Sequence, residues 1–542
     1  MKKILYAFLV SLCITSCSVE VDPTDQYSDV VAWQNEEYLD LYVKGFYAGL
    51  RDNAEITSNM FSDGYSDILK YSVSNLNSST DQNKILQQEN VITPSNGMLC
   101  TWGNYDRIKR LNEFLHDVDA KTGHIDPEFV KVRKAEVRFL RAYLYYKMIR
   151  NHGGVILRLE NTGVDGGLDN EKDAVKARLT EAESWNFVIS ELEAIAPDMA
   201  GKVKWEDEEL GRVTQGAVYA LLTRCALYAK QYDKVISAGK ALEALNVYEL
   251  SADYNAVFKD ITNKELILAV SFEAPDYVHE HDRYFRPTGD KADRGGWACP
   301  TEDLVSQYQI KEGDTYVDFD WNNPAHAAAP YENREPRFYT SILYNGAAWN
   351  NRTIETFVGG KDGFADFDLT SNTPACVTGY FMKKFLQEDN TNFDELGSDT
   401  YWVELRYAEV LLNMAEAYAQ TGDMSNAYSY MNKVRTRGGY LSPRESGSNL
   451  DVYMKYLMKE RMVELAFEGH RYWDLRRWKK AVEVINGKRA YGIKITRSGD
   501  SFVYTKVPCD DTDRYFPEKY YYIPVPTSEI SNNTACEQTI PW

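Results

Sequence analysis

Zinc-site and redox spacings are missing from this chain. Its 542 residues hold 8 cysteines and 7 histidines, and beyond position 17 the cysteines stand at Cys100, Cys225, Cys299, Cys376, Cys509 and Cys536, with no Cys-x-x-Cys pair. That scatter argues against a zinc ribbon and against thioredoxin-type chemistry, and reads as buried small apolar side chains. Positive charge is short as well. Lysines and arginines number 61 against 81 acids, a formal net charge of -20, and such a surface repels phosphate backbones, so nucleic acid is not an expected partner. Past the N-terminus no run of about 18 apolar residues offers a transmembrane helix, and no repeated ten-residue alternation marks barrel strands. No P-loop, Gly-x-Gly-x-x-Gly, Gly-x-Ser-x-Gly or His-Glu-x-x-His occurs, so no catalytic residue is assigned and no enzymatic activity is expected.

What is present begins with an export signal. Met1-Lys2-Lys3 precedes a short apolar core from Ile4 to Leu12, too short to span a membrane and arranged as a secretory signal. Ile14-Thr15-Ser16 then places small residues before Cys17, the requirement for lipoprotein processing, so residues 1–16 read as a lipoprotein signal peptide and Cys17 as the lipidation site. Three acyl chains on Cys17 exceed the two-signal threshold for stable membrane anchoring. Residues 17–32, acidic and interrupted by Pro23, read as a lipidated tether.

Residues 33–249 read as an N-terminal helical scaffold. Helical periods run over Trp102 to Val118, Phe129 to Asn151, Glu181 to Ile195, Gly211 to Lys230 and Tyr232 to Leu245. Near the other end, Leu411, Ala415, Tyr418, Ala427, Met431 and Val434 flank Gly422-Asp423 at the spacing of a tetratricopeptide repeat. The expected fold is mainly α: a tetratricopeptide-like helical-hairpin scaffold, its hairpins stacked as a solenoid, with a large irregular insertion containing short strands. Residues 250–400 form that loop-rich insertion and residues 401–542 a C-terminal helical segment. From Glu460 to Trp478 the apolar positions predict one continuous buried helix, with Arg461 and Glu464, Glu468 and Arg471, and Arg471 and Asp474 placed to pair three residues apart.

The order Glu-Arg-Met-Val-Glu-Leu-Ala-Phe-Glu-Gly-His-Arg-Tyr-Trp-Asp-Leu-Arg-Arg-Trp over 460–478 resembles the signature helix of the SusD/RagB family, lipid-anchored glycan-binding proteins of the Bacteroidetes outer surface. Further landmarks resemble the family in order: Ala135 to Tyr143 closing at Gly153-Gly154-Val155, Pro300 with Asp303-Leu304-Val305, Glu312-Gly313-Asp314, Asn333 to Phe338, Thr378-Gly379-Tyr380 with Lys383, and Tyr522 to Pro526. Two details depart: Glu335 replaces the usual second acid of an Arg-Asp-Pro-Arg motif, and the chain ends Gln538-Thr539-Ile540-Pro541-Trp542 where the family ends Gln-Asn-Pro-Gly-Tyr. The resemblance implies a non-catalytic outer-membrane lipoprotein, facing the cell exterior, that captures oligosaccharides and passes them to a SusC-like TonB-dependent transporter. A RagB-like peptide-binding lid and, in another class, a surface glycosidase are the alternatives.

Ligand contact is expected from aromatics in irregular segments, because a flat ring stacks on the apolar face of a sugar while amides and acids take its hydroxyls. Trp297, Trp321 and Trp349, each beside Gly or Asn pairs, are the first candidates. Phe61, Tyr65 and Tyr71 follow, since Arg51 to Gly97 is polar, long and without a clean period, as a functional loop is. No metal site is assigned. His279 and His281 lack a third ligand at useful spacing, and Asp362 to Asp368 only loosely resembles a calcium loop, which leaves calcium as the one cofactor candidate.

Overall fold

In this computed structural model the described residues are 29–58, 61–74, 78, 81–159, 175–205, 209–290 and 292–542. The signal segment, Cys17 and most of the tether lie outside them.

Capping chemistry sets the helices. α1 (Glu36–Phe46) starts where the Asn35 side chain accepts from the Tyr38 amide, and α2 (Asn104–Lys121) leads into α3 (Pro127–His152). Asp126 caps α3 with proline in its first turn, and Gly153, at φ +75°, ends it. α4 (Glu181–Ile195) opens on a reciprocal capping box between Thr180 and Glu183. α5 (Gln215–Tyr228) and α6 (Tyr232–Ala244) form a hairpin, as do α7 (Tyr407–Gln420) and α8 (Met424–Arg435), with Asp423 capping α8. Each helix from α2 to α8 packs on the next in sequence, the solenoid that the periods predict. No described helix is long and apolar enough to cross a membrane.

The stack continues across the insertion, because α6 packs directly on α7. Gly239 makes this contact close: a Cβ there would lie 2.3 Å from the Met414 sulfur. The insertion is also stitched at its base. Two of its strands pair with strands outside it: β3 (Ala298–Pro300) runs antiparallel to β1 (Leu69–Tyr71), and β2 (Leu266–Val270) runs antiparallel to β4 (Trp402–Arg406), Leu266 opposite Arg406. The two ends of the excursion are thus joined by one ladder. A separate hairpin, β5 (Tyr491–Ser498) and β6 (Ser501–Pro508), projects near the C-terminus.

The continuous helix predicted over 460–478 is broken. α9 (Leu450–Glu464) stops, the chain turns through Phe467 at φ +64° and Gly469 at φ +70°, and α10 (Arg471–Arg477) restarts. A side chain at Gly469 would collide with the Glu55 carboxylate at 2.6 Å. The backbone groups released by the break find long-range partners. Tyr254 Oη and Arg406 Nη2 donate to the Glu464 carbonyl, Lys384 Nζ donates to that of Ala466 at 2.7 Å, and the Gly469 and Arg471 amides donate to Asp63 at 3.2 and 3.0 Å. None of the expected three-apart pairs forms. Instead Arg461 reaches Asp474 at 2.7 Å, Arg471 reaches Asp67 at 2.8 Å, and Glu464 and Glu468 enter a buried lattice of charges.

That lattice is the densest electrostatic feature described. Glu464 receives Arg406 at 2.7 Å, Arg437 at 2.6 Å and Arg337 at 2.9 Å. Arg406 also holds Glu265 and Glu468, Arg437 holds Glu265, Arg337 holds Glu335 and Glu460, Arg435 holds Glu460, and Lys384 holds Glu468. Burial alone pushes the Glu464 carboxyl up, but the guanidiniums of Arg437, Arg406 and Arg337 outweigh it and hold the group well below the usual carboxylate range.

Within the stretch from Arg51 to Gly97, the described residues from 61 to 74 and from 81 to 87 are largely buried and many of their polar side chains are paired: Lys70 with Asp510 at 2.8 Å, both fully enclosed, and the Asn83 amide with the Tyr71 and Val73 carbonyls. Polarity here marks an internal network. The acids between Asp362 and Asp368 part company as well. Asp362 is bound by Arg352, Asp366 by Lys494, and Asp368 by Thr370, so they do not converge as a calcium loop requires. His279 and His281 bond differently, His279 to the Thr400 carbonyl at 2.9 Å, their rings 6.1 Å apart and nearly perpendicular.

Two variants test these assignments. Glu464→Gln leaves three buried guanidiniums short of a countercharge and is expected to lower stability by about 3–5 kcal/mol, read as a denaturant midpoint. Asp63 carries the opposite signature: burial, and then the Glu55 carboxylate, push its carboxyl up to about 8. A raised folded value stabilises below the ordinary carboxylate range and is lost as pH rises through about 8. Relative to the parent, Asp63→Asn should therefore gain melting temperature from pH 5 to about pH 8 and level off above it; a constant difference would refute the assignment.

Candidate functional site

A cleft of about 600 Å³ opens beside the buried turn at Gly469. One wall is the segment after α1, carrying Asp52, Asn53 and Glu55; the second is the start of α2 with Asn104 and Arg107; the third is the last turn and a half of α3, presenting Lys147 and Arg150; Trp473 of α10 closes it. The helical period explains the third wall, because Lys147 and Arg150 stand three apart and share a face.

Hydrogen bonds fix the polar lining. Asn53 donates to the Gly49 carbonyl at 2.8 Å and lies 3.4 Å from the Asn104 side chain. Glu55 takes the Ser62 amide and hydroxyl on its two oxygens at 2.9 and 2.7 Å, and Asp52 is paired with Arg107. Lys147 donates to the Asn53 carbonyl at 3.2 Å and has no carboxylate partner among the described residues; burial pulls its amine down to about 8. Amides, a carboxylate and cations held at fixed places around a cleft are what polyhydroxylated ligands require. The carboxylates are tied up as acceptors, without a facing pair across the cleft.

An aromatic stands beside this lining. Tyr277 is 55% exposed and lies under the Arg51 guanidinium at 4.6 Å, next in the chain to the lining residue Asp52. Reciprocal 2.8 Å backbone hydrogen bonds between Glu273 and Tyr277 clamp the turn that displays it. The ring comes from the insertion and the cleft from the N-terminal segment, so tertiary folding alone brings them together.

The six aromatics singled out from sequence fare differently. Phe61, Tyr65 and Tyr71 are core residues; Phe61 packs on Phe285 and Trp402, and Tyr71 Oη donates to the Phe61 carbonyl. Trp349 is 1% exposed with its indole N–H on Asp290 at 2.7 Å. These four cannot serve as sugar platforms where they stand, because no face of the ring reaches solvent. Trp297 and Trp321 remain half-buried, Trp297 edge-on to Tyr284 at 5.1 Å and Trp321 bonded to Glu302 at 2.7 Å. Neither lines the cleft. None of Asn53, Asn104, Lys147, Arg150 and Tyr277 was named from sequence, although Asn53 and several other lining residues belong to the Arg51 to Gly97 stretch read there as a functional loop. For Tyr277 the available signal was the Ala274-Pro275-Asp276-Tyr277 turn, which puts a large ring on a tight bend.

A stacked-hairpin solenoid carrying a polar surface cleft defines the class as a helical-repeat binding scaffold. Comparison with known proteins narrows this. Residues 264–542 match the profile described as "SusD family", and residues 20–227 match one described as "Starch-binding associating with outer membrane". The chain belongs to the SusD/RagB family. It is 38% identical over 376 residues to SusD-like protein P2 of Formosa agariphila, covering 66% of this chain and 67% of that protein. With SusD-like protein P38 of the same organism identity is 23% over 509 residues, covering 89% and 93%. Among solved structures, a SusD-like protein from Bacteroides fragilis superposes with TM-score 0.79 at 26% identity, covering 96% of this chain and all of that one. Surface glycan-binding protein A from Bacteroides thetaiotaomicron, solved with laminarihexaose, superposes with TM-score 0.66 at 20% identity, covering 92% and 98%.

Core and surface rings are separable by melting alone. Trp349→Ala should cost about 3–5 kcal/mol, whereas Tyr277→Ala should stay within about 0.5 kcal/mol of the parent. Equal melting shifts would contradict the placement.

Proposed function

We propose that this protein is a non-catalytic surface lipoprotein that binds oligosaccharides in the cleft between Asn53, Asn104 and Lys147, with Tyr277 as an outer stacking ring. The observation that carries the reading is the fixed polar lining beside one clamped, exposed aromatic. The likeness to a fold solved with laminarihexaose supports it. Anchoring through Cys17 and delivery to a SusC-like TonB-dependent transporter are part of the proposal, supported by the N-terminal sequence and by the family.

The mechanism is capture without chemistry. Side chains already held by protein hydrogen bonds lose little entropy on engaging hydroxyls, and a tyrosine clamped by its backbone offers a face to a pyranose at low cost. Isothermal titration with a panel of neutral hexasaccharides, including laminarihexaose and maltohexaose, should give saturable binding to at least one and no shortened products by chromatography. Tyr277→Ala should weaken it about tenfold, the loss of roughly 1.4 kcal/mol of stacking. Product release would establish an enzyme, and binding of peptides alone would establish a peptide carrier. Metabolic labelling with a clickable palmitate tests the anchor: Cys17→Ala should lose the label and the parent retain it.

A further inference from the structure

Arg150 and Trp473 also line a second cleft, of about 570 Å³, on their other side. It lies among the end of α3, the start of α4, the turn after α5, and α10. Its character differs from the first. Aromatic surface comes from Tyr228 and Tyr522, both half-buried, and from the buried Trp185.

Its charge is the informative feature. α10 carries three arginines, and two have carboxylate partners: Arg471 with Asp67, and Arg477 with Glu416 and Asp474. Arg476, 4% exposed and lining the cleft, has none among the described residues. It donates Nε and Nη2 to backbone carbonyls of Tyr521 and Asn151, and its Nη1 has no partner. Arg150 stands over the Trp473 ring at 3.7 Å, and Arg476 lies 4.8 Å from the same ring. Among the described residues Arg150 bonds only the Tyr146 hydroxyl, at 3.3 Å, and its Nε is also unpartnered. At the rim, Lys479 stands near the rings of Tyr521 and Tyr522 without a carboxylate ion pair among the described residues. One acid, Glu181, lines the same cleft and places its negative charge near Lys479; its oxygens accept from Tyr522 Oη at 2.6 Å and from Trp185 Nε1 at 3.3 Å, and it stands against cations at Arg150, Arg476, Arg477 and Lys479.

Two like charges on one indole, one of them buried with an open donor, repel each other and keep an unmet desolvation cost. Most other buried guanidiniums described in this acidic chain are matched by carboxylates; Arg334 is an exception, held by the backbone carbonyls of Pro330, Val305 and Tyr308 and lining neither cleft. An anion in the cleft would supply the missing acceptor, and guanidinium forks match planar carboxylate and tetrahedral sulfate alike. Resting on the glycan-binding reading above, we propose that this second cleft is an anion subsite, where Arg150, Arg476 and Lys479 receive a carboxylate or sulfate borne by a sugar that stacks on Tyr228 or Tyr522.

The test uses the full mature protein and four probes in titration calorimetry: tetragalacturonate, a sulfated galactan tetrasaccharide, a neutral cellotetraose and sodium sulfate. At least one anionic sugar should bind tenfold or more tightly than the neutral one, with affinity falling as salt rises. Lys479→Gln should weaken that binding at least fivefold and Arg476→Gln at least tenfold, while binding of neutral hexasaccharide at the first cleft stays unchanged in Lys479→Gln. If Arg476→Gln fails to fold, Lys479→Gln and Arg476→Lys carry the test. Preference for the uronate or for the sulfate ester identifies the group. Neutral and anionic sugars binding alike, anionic binding untouched by every folded variant, or sulfate binding without any anionic sugar would each overturn the proposal. Loss of neutral binding in the parent strikes the first cleft instead.

Discussion

The architecture depends on burying charge in a matched set. Glu265, Glu335, Glu460, Glu464 and Glu468 meet Arg337, Arg406, Arg435, Arg437 and Lys384 inside the protein, five acids to five cations. Each ion would cost several kcal/mol if stranded. The members come from distant places: the ladder at the base of the insertion, the end of α8, the end of α9, and the insertion itself. The lattice can therefore close only when helical stack and insertion are docked together, which ties two differently textured parts of the chain into one cooperative unit. It also explains why α9 ends where it does. Glu464 serves three guanidiniums at once, and the carbonyls freed beyond it are taken by Tyr254, Arg406 and Lys384.

The same break positions the candidate site. By turning the chain at Gly469, it lets α10 approach the 55–63 segment, where Asp63 takes two α10-side amides and Glu55 occupies the space a side chain at 469 would need. Trp473 then stands between two clefts. On one side amides and a fixed carboxylate suit hydroxyl groups; on the other, cations outnumber available acids. One partition thus separates two chemistries.

Part of this was legible in the residues. Helical periods, caps and the Gly422-Asp423 turn establish the stacked hairpins, because amphipathic spacing and capping are local properties. The signature over 460–478 marks the family even though its apolar pattern hides the break: Leu465 and Ala466 at the turn are as apolar as helix residues would be. The stretch from Arg51 to Gly97 misleads for the reverse reason. Around Lys70 and Asn83 its polar side chains are paired inside the core, and composition does not distinguish a buried polar network from a solvated loop. Trp349 misleads likewise, since its Asn neighbours suggest a wet surface while Asp290 provides a buried partner.

By itself, then, the chain determined its mainly helical class, its hairpins and its kinship, all of which rest on neighbours within a few turns. Tertiary structure alone decided which charges pair, which rings are buried, and that Tyr277 comes to rest by Arg51 and Trp473 between two clefts. The physical reason is range. Electrostatic pairing and burial are settled by what arrives from up to several hundred residues away, as when Asp63 meets Gly469, and no local pattern encodes that arrival.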